Sequence, residues 1–523
     1  MAARMDFAFS ELAARADDAP ARWRRPFLKL LDGIEVGWGI PLVLAGFVAF
    51  WMAFLIIAYF SGDPHPDALE AWSLGRTFEW GGAKHPPLMG WITRLWTAIF
   101  PLTNWSLQLL AMVNSALALW FVDLISRRFA TGDERLIVLL LLLLSPVYQF
   151  HAQRFNANAA ILATWPLATY CFLRSFEARS PLWAIFAGAT AALAILGKYY
   201  SVFLIAGFGF AAILHPQRRL YFGSLAPWIS IAAGLVALSP HLHWIETNGP
   251  LPLKYALNLH SGATALDSLI EAGVFLLGLA ASLALPAIAW AMIAGHRLRQ
   301  FPEDLRALDP GLLLLLLIGV GGLIFPIIAA VGHGSDLPSG WAFQGLFLFV
   351  VPIVCGARFS VERFHSVNLI AVVLALAVLA TIVAAPAYAI YRNTHPFNEG
   401  RNFFRISSAE LAARWHALTG EPMPMVSGDE KLAWATAFYN DEHPQYRRAW
   451  NPGEGPSLDT LSRGWAAICF SDDKGCIAFI DRATPPSGFV RSEFSVRSML
   501  LGTLGAERQV TTLLVPPARK PQG

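Results

Sequence analysis

The chain runs to 523 residues, 55% of them hydrophobic and 14% charged, with a mean hydropathy of +0.49. Soluble domains carry about 25% charged residues, so composition excludes an ordinary water-soluble enzyme and points to a polytopic helical membrane protein. The balance of 39 Lys+Arg against 36 Asp+Glu, a formal charge of +3, also speaks against a nucleic-acid partner, which would need a strongly basic surface.

In chain order, Arg22, Arg24, Arg25 and Lys29 precede the first apolar run without a small-residue cleavage site, so residues 1–36 read as a cytoplasmic leader and not as a cleaved signal peptide. About eleven apolar spans follow, near 37–60, 105–126, 136–150, 158–175, 182–197, 200–214, 224–241, 268–294, 311–331, 341–356 and 367–391. With the start in the cytoplasm, the even-numbered connections hold Arg127, Arg128 and Arg135, then Arg174 and Arg179, Arg218 and Arg219, Arg297, Arg299 and Arg306, and Arg358 and Arg363. The opposite connections hold fewer cations, which is the positive-inside bias. An odd number of spans places residues 392–523 in the periplasm, with the membrane domain over 37–391.

From Tyr391 onward no apolar run is long enough to span, and the pattern predicts a small α+β domain. It has a helix around Ser407 to Leu418 and strands at Ala466–Phe470, Cys476–Ile480 and Thr511–Val515. Cys469 and Cys476 bracket a polar turn between two of these strands, where either a disulfide in an oxidising compartment or a pair of buried thiols fits. Cys171 and Cys355 lie in spans and read as packing residues.

The spans carry almost no mid-membrane charge, whereas unusual polar residues gather in the outward connections. Pro66 suits the first turn of a helix that puts Asp67 and Glu70 on one face and continues through Ala71–Trp80. Gly81-Gly82 then permits a turn, and Pro86-Pro87 extends the backbone at Lys84 and His85. An acidic pair and a basic pair can thus share one pocket, where a carboxylate deprotonates an acceptor hydroxyl while Lys and His bind a phosphate leaving group. Helix-dipole carboxylates and snorkelling cations are the bland alternatives. Asp63 and His65, in a Pro-punctuated turn, rank below these four.

Further outward candidates are His151, Gln153, Arg154, Asn156 and Asn158; Lys198, Tyr199 and Tyr200; His241 and His243; Lys254 and Tyr255; and His333, Asp336 and Trp341. His241 and His243 lack a third metal ligand in the sequence, which favours packing or hydrogen bonding. The cytoplasmic side shows no Gly-x-x-x-x-Gly-Lys-Ser/Thr motif and no dinucleotide fingerprint. Nucleotide sugars are cytoplasmic, so an outward-facing transferase needs a donor that arrives as a lipid phosphate.

The carboxylate-bearing first loop, Lys84-His85-Pro86-Pro87-Leu88, Arg154-Phe155-Asn156-Ala157-Asn158, Gly197-Lys198-Tyr199-Tyr200 and Pro240-His241-Leu242-x-Trp244 together resemble a bacterial glycosyltransferase of the GT-C fold. The family is the protein-mannosyltransferase-like family 39, close to the aminoarabinose and galacturonic-acid transferases of lipopolysaccharide. The resemblance spans roughly residues 35 to 390. It implies inverting transfer of one sugar, hexosyl or pentosyl, from a polyprenyl-phosphate donor to an envelope acceptor at the periplasmic face: lipid A or core, another glycolipid, polysaccharide or protein.

By match of motif, Asp67 is the acid/base carboxylate with Glu70 beside it, and Lys84, His85, Arg154 and Lys198 bind the donor phosphate. Asn156, Tyr199, His241, Lys254 and Tyr255 stand as substrate-binding candidates. Relatives carry Asp-Glu side by side where this sequence has Asp67-Ala68-Leu69-Glu70, so either acid can be the base, with Asp67 preferred. No cofactor is required, though a divalent cation held by Asp67 and Glu70 is compatible. The rival reading, a transporter or flippase of a lipid-linked saccharide, predicts paired charges or broken polar helices at mid-membrane. In the C-terminal domain Trp434, Tyr439 and Trp450 suit either sugar stacking or a core.

Overall fold

The computed structural model describes residues 22–258, 261–449 and 462–517. The stretch read as a leader forms a helix, α1 (Arg25–Val36), that buries Leu31 and Ile34 against its neighbours. The apolar spans become α2 (Gly39–Ala58), α5 (Asn104–Ser126), α6 (Gly132–Leu144), α7 (Ala157–Ala178), α8 (Pro181–Gly197), α9 (Val202–Leu214), α10 (Ala226–Asn248), α12 (Ala265–Ala294), α13 (Pro310–His333), α14 (Phe347–Cys355), and α15 with α16 (Arg363–Leu379 and Ala385–Thr394). Between the spans lie α3 (Pro66–Gly75), α4 (Leu88–Thr97) and α11 (Leu251–Asn258).

Six of the described helices are long and apolar enough to cross a bilayer alone. The 20 residues of α2 rise about 30 Å, one hydrocarbon thickness. Leu235, Val236, Leu277 and Ile382 stay exposed on their helices, which water would penalise and lipid does not. Local signals set the ends: Ser180 caps α8 by accepting from the Trp183 amide, with Pro181 in the first turn, and Thr264 with Asp267 forms a capping box on α12.

The C-terminal unit is a five-stranded mixed sheet of order β2-β1-β3-β5-β4. Its strands are β1 (Met425–Gly428), β2 (Gln445–Tyr446), β3 (Trp465–Phe470), β4 (Val490–Leu500) and β5 (Thr503–Val515), accompanied by α17 (Phe404–Thr419), α18 (Glu430–Tyr439) and α19 (Lys474–Ala483). β1 runs parallel to β2 and β3, while β3, β5 and β4 pair antiparallel. The expected strand at Cys476–Ile480 is instead the middle of α19, because the Asp473 side chain accepts from the Cys476 amide and caps a helix there. Cys469 and Cys476 are bonded, so the disulfide ties a strand to a helix and not two strands of a hairpin.

Two further expectations near the first loop change. The helix from Pro66 stops at Gly75, since Phe78 adopts a left-handed φ of 49° and breaks it before Trp80. At Gly81 a Cβ would fall 2.3 Å from the Trp244 ring, so this glycine serves a close approach and not only a turn. The C-terminal unit is also not closed on itself: Ala68, Leu69 and Trp72 of α3 and Leu107 of α5 lie in one core with Phe404, Leu411, Trp415 and Phe438.

Candidate active site beside two pockets

Asp67 sits in the first turn of α3, held by three neighbours. Asn156, at the N-cap of α7, donates from Nδ2 to Asp67 Oδ2 at 2.8 Å, and Arg154 Nε lies 3.7 Å from the same oxygen. His65 Nε2 lies 2.7 Å from Arg154 Nη1. His65 Nδ1 accepts from the Asp67 amide at 3.1 Å, which caps α3, and lies 3.4 Å from Asp67 Oδ1. Burial alone would raise the Asp67 carboxyl, but His65, Asn156 and Arg154 together hold it far below the ordinary carboxylate range. Asp67 is therefore ionised at any physiological pH, and its side chain remains 40% exposed, open to a substrate.

Glu70, one turn along, faces a different partner. Lys84 Nζ lies 3.9 Å from Glu70 Oε1 and 2.5 Å from Glu430 Oε2, on α18 of the C-terminal unit. The ammonium also sits 5.1 Å from the Trp434 ring centre, and Tyr446 donates to the other Glu430 oxygen at 3.0 Å. Burial raises the Glu70 carboxyl to about 7, with Lys84 opposing and Asp67 and Glu430 reinforcing. Burial disfavours the Lys84 charge, yet the Glu430 bond and the Glu70 charge outweigh it and keep the ammonium protonated.

Behind this row lies a mainly apolar pocket of about 410 Å³ whose lining includes Lys84, His85, Lys198, Tyr199, Tyr255 and Trp341. Lys198, in the connection after α8, donates to Asn158 Oδ1 at 2.7 Å and lies 4.2 Å from the Trp341 ring centre. Burial pulls it down to about 7, against the charge of Asp67. His85 packs edge-on against Tyr255 at 5.6 Å. Burial and the charges of Lys198 and Lys84 push it to about 4, so it serves as a neutral hydrogen-bonding group and not as the cation the sequence suggested.

On the other side of His65 opens a second pocket of about 260 Å³, lined by Asp63, His65, Gln108, His151, Arg154 and Arg401 among others. Arg401, from the segment before α17, lies 5.0 Å from the Tyr59 ring centre. Asp63 is fully enclosed: it accepts from Tyr439 Oη at 2.8 Å and from the Arg405 amide at 3.1 Å. Burial raises its carboxyl to about 6 against those bonds.

Of the expected residues, Arg154 lines the smaller pocket and Lys84, His85, Lys198, Tyr199 and Tyr255 line the larger one, while Asp67, Asn156 and Glu70 line neither and are joined to them through Arg154 and Lys84. Not all candidates gather there. Lys254 is exposed and away from both linings. His241 is buried in α10, where it bonds the Tyr199 hydroxyl at 2.8 Å and the Trp80 carbonyl at 2.5 Å, so it braces the site from behind instead of touching a substrate. His243 points elsewhere, exposed beside Glu246. Trp434 is buried against Lys84, Tyr439 holds Asp63, and Trp450 lies outside the described residues. Sequence reasoning missed Glu430, Tyr446 and Arg401, whose separation from the first loop leaves no local signal. Among the described residues no three His, Cys, Asp or Glu side chains converge as a metal site. Asp67 faces Asn156, Arg154 and His65, while Glu70 faces Lys84.

Residues 84–244 match the family model described as dolichyl-phosphate-mannose-protein mannosyltransferase. The crystal structure of ArnT from Cupriavidus metallidurans bound to undecaprenyl phosphate matches with a TM-score of 0.58 at 14% identity, over 91% of this chain and 98% of that one. The same protein in its apo state matches with a TM-score of 0.54 at 14% identity, over 89% and 98%. No curated protein matches the chain by sequence. Matched over nearly its whole length in architecture and over residues 84–244 in sequence, the chain is a multi-pass membrane protein with the GT-C glycosyltransferase fold.

Proposed function

We propose that the protein transfers one sugar, with inversion, from a polyprenyl-phosphate donor to an envelope acceptor at the periplasmic face of the inner membrane. The observation that carries this reading is the place of Asp67: an ionised, accessible carboxylate beside Arg154 and His65 of one pocket's lining, one helical turn from Glu70, which faces Lys84 of the apolar pocket that also holds His85 and Lys198. The apolar pocket suits the first units of a lipid chain and its cations suit a phosphate. The likeness to a structure bound to undecaprenyl phosphate supports the same donor class.

In the step itself, the acceptor hydroxyl gives its proton to Asp67 as its oxygen bonds the anomeric carbon. The bond from that carbon to the phosphate oxygen breaks with both electrons, and polyprenyl phosphate leaves. Lys84 and Lys198 stabilise the charge that grows on the phosphate, Arg154 adds to it from the Asp67 side, and neutral His85 donates a hydrogen bond. The cations already present do the work a divalent ion would do, so the reading assigns none.

The test is transfer from radiolabelled polyprenyl-phosphate sugars to an envelope lipid extract, with parent and Asp67→Asn proteins of equal thermal stability. A parent that transfers and a variant that binds donor without transferring support the reading. Equal transfer by both would remove Asp67 as the base.

A further inference from the structure

The hairpin of β4 and β5 ends in a two-residue turn at Leu501-Gly502, both in the left-handed region with φ of 48° and 84°. Such turns favour Asn-Gly, and a bulky leucine at the first position is costly. This leucine is also 84% exposed, and Met499 and Leu504 beside it are exposed as well. Residues 499–506, Met-Leu-Leu-Gly-Thr-Leu-Gly-Ala, carry no charge, while Arg497 and Glu507 pair across the strands immediately behind them. Polarity therefore changes sharply at one level of the hairpin.

That level is fixed relative to the last membrane helix. Ser498 Oγ donates to the Asn393 carbonyl at 2.9 Å, Asn393 Nδ2 donates to the Thr503 carbonyl at 3.2 Å, and Arg508, farther from the tip, reaches the Asn398 carbonyl at 3.2 Å. Moving toward the tip thus follows the chain back from Asn398 through Asn393 into α16. The turn beyond Thr503 advances about one more strand step, about 3 Å, equal to about two residues of helix, which brings Leu501 to the height of Tyr391. Around that height α16 exposes Ile390 and Tyr391 and carries Arg392, the aromatic and cationic residues of a membrane boundary.

We infer that the Met499–Leu504 tip inserts into the outer leaflet beside α16 and holds the C-terminal unit down on the bilayer over the active site. The partner is the lipid surface itself; continuity with the exposed apolar face of α16 selects it over another protein. The contact with lipid beside α16 follows from this geometry, while its being the outer leaflet, over the active site, rests on the proposed function.

The experiment places a nitroxide on Leu501→Cys, Leu504→Cys or Met499→Cys in the full chain with Cys171→Ala and Cys355→Ala, reconstituted in phosphatidylcholine/phosphatidylglycerol vesicles. A label on Glu493→Cys, exposed farther along the same strand, is the reference. Oxygen partitions into lipid and a nickel chelate into water, so the ratio of their collision rates reports immersion. We expect the ratio at residues 501 and 504 to exceed that at 493 several-fold. A ratio equal to that at 493 at all three tip positions would overturn the inference. Should Leu501→Cys fail to fold because of its turn, the labels at 499 and 504, outside the left-handed positions, decide alone.

Discussion

Lys198 is the residue whose chemistry is most exposed to pH. Burial brings its ammonium to about 7, so between pH 6 and 8 the apolar pocket loses a cation. A charge-assisted bond to phosphate contributes about 1.5–3 kcal/mol, hence the donor KM should rise about tenfold over that range while kcat changes less. Lys198→Arg keeps its charge and should flatten the profile; superimposable profiles for parent and variant would remove Lys198 from donor binding. Glu70 gives a stability effect of opposite cause. Its carboxyl is raised in the fold from 4.5 to about 7 by burial, so the folded state holds a proton the unfolded chain has released. Stability is full below pH 4.5 and falls as pH rises through 7. Glu70→Gln removes that loss, and its thermal midpoint in detergent should exceed the parent's at pH 8, on the order of 1–3 kcal/mol, yet match it at pH 4.5.

At the scale of elements, the first loop shows what a sequence can and cannot carry. Pro66 and the acids after it mark a helix start, because capping is local chemistry written within four residues. The second half of the site was illegible. Glu430 reaches Lys84 across 346 residues and Tyr439 reaches Asp63 across 376, and no periodicity encodes such a contact. Cys476 illustrates a nearer failure: an apolar run of strand length is indistinguishable from a buried helix until its Asp473 cap is weighed. The loop clamp can be tested directly. Tyr439→Phe leaves Asp63 short of one hydrogen bond and should cost about 1–3 kcal/mol of stability. It should also lower transfer by loosening α3, while Tyr446→Phe, which keeps the ring against Trp434 and removes only the bond to Glu430, should alter donor KM first. Equal effects of the two variants on kcat and KM would contradict separate roles.

For the whole molecule, composition and the recurring apolar runs revealed a multi-pass bundle, because lipid imposes one rule on every span. They could not reveal that the C-terminal unit uses its two sheet faces differently. One face packs Trp415, Leu411 and Phe438 against Ala68, Leu69 and Trp72 of the first loop. The other closes over itself with Trp465, Cys476, Phe479 and Ile480. The first core therefore belongs to both halves, and whatever loosens it loosens the helix that carries Asp67. Trp415→Ala and Phe479→Ala each remove a buried aromatic and should each cost about 3–5 kcal/mol. Only Trp415→Ala should speed amide hydrogen exchange in residues 66–75 and reduce transfer at temperatures where both variants remain folded. If Phe479→Ala accelerates exchange in 66–75 equally, the sheet transmits disorder as a single body and the two faces have no separate roles.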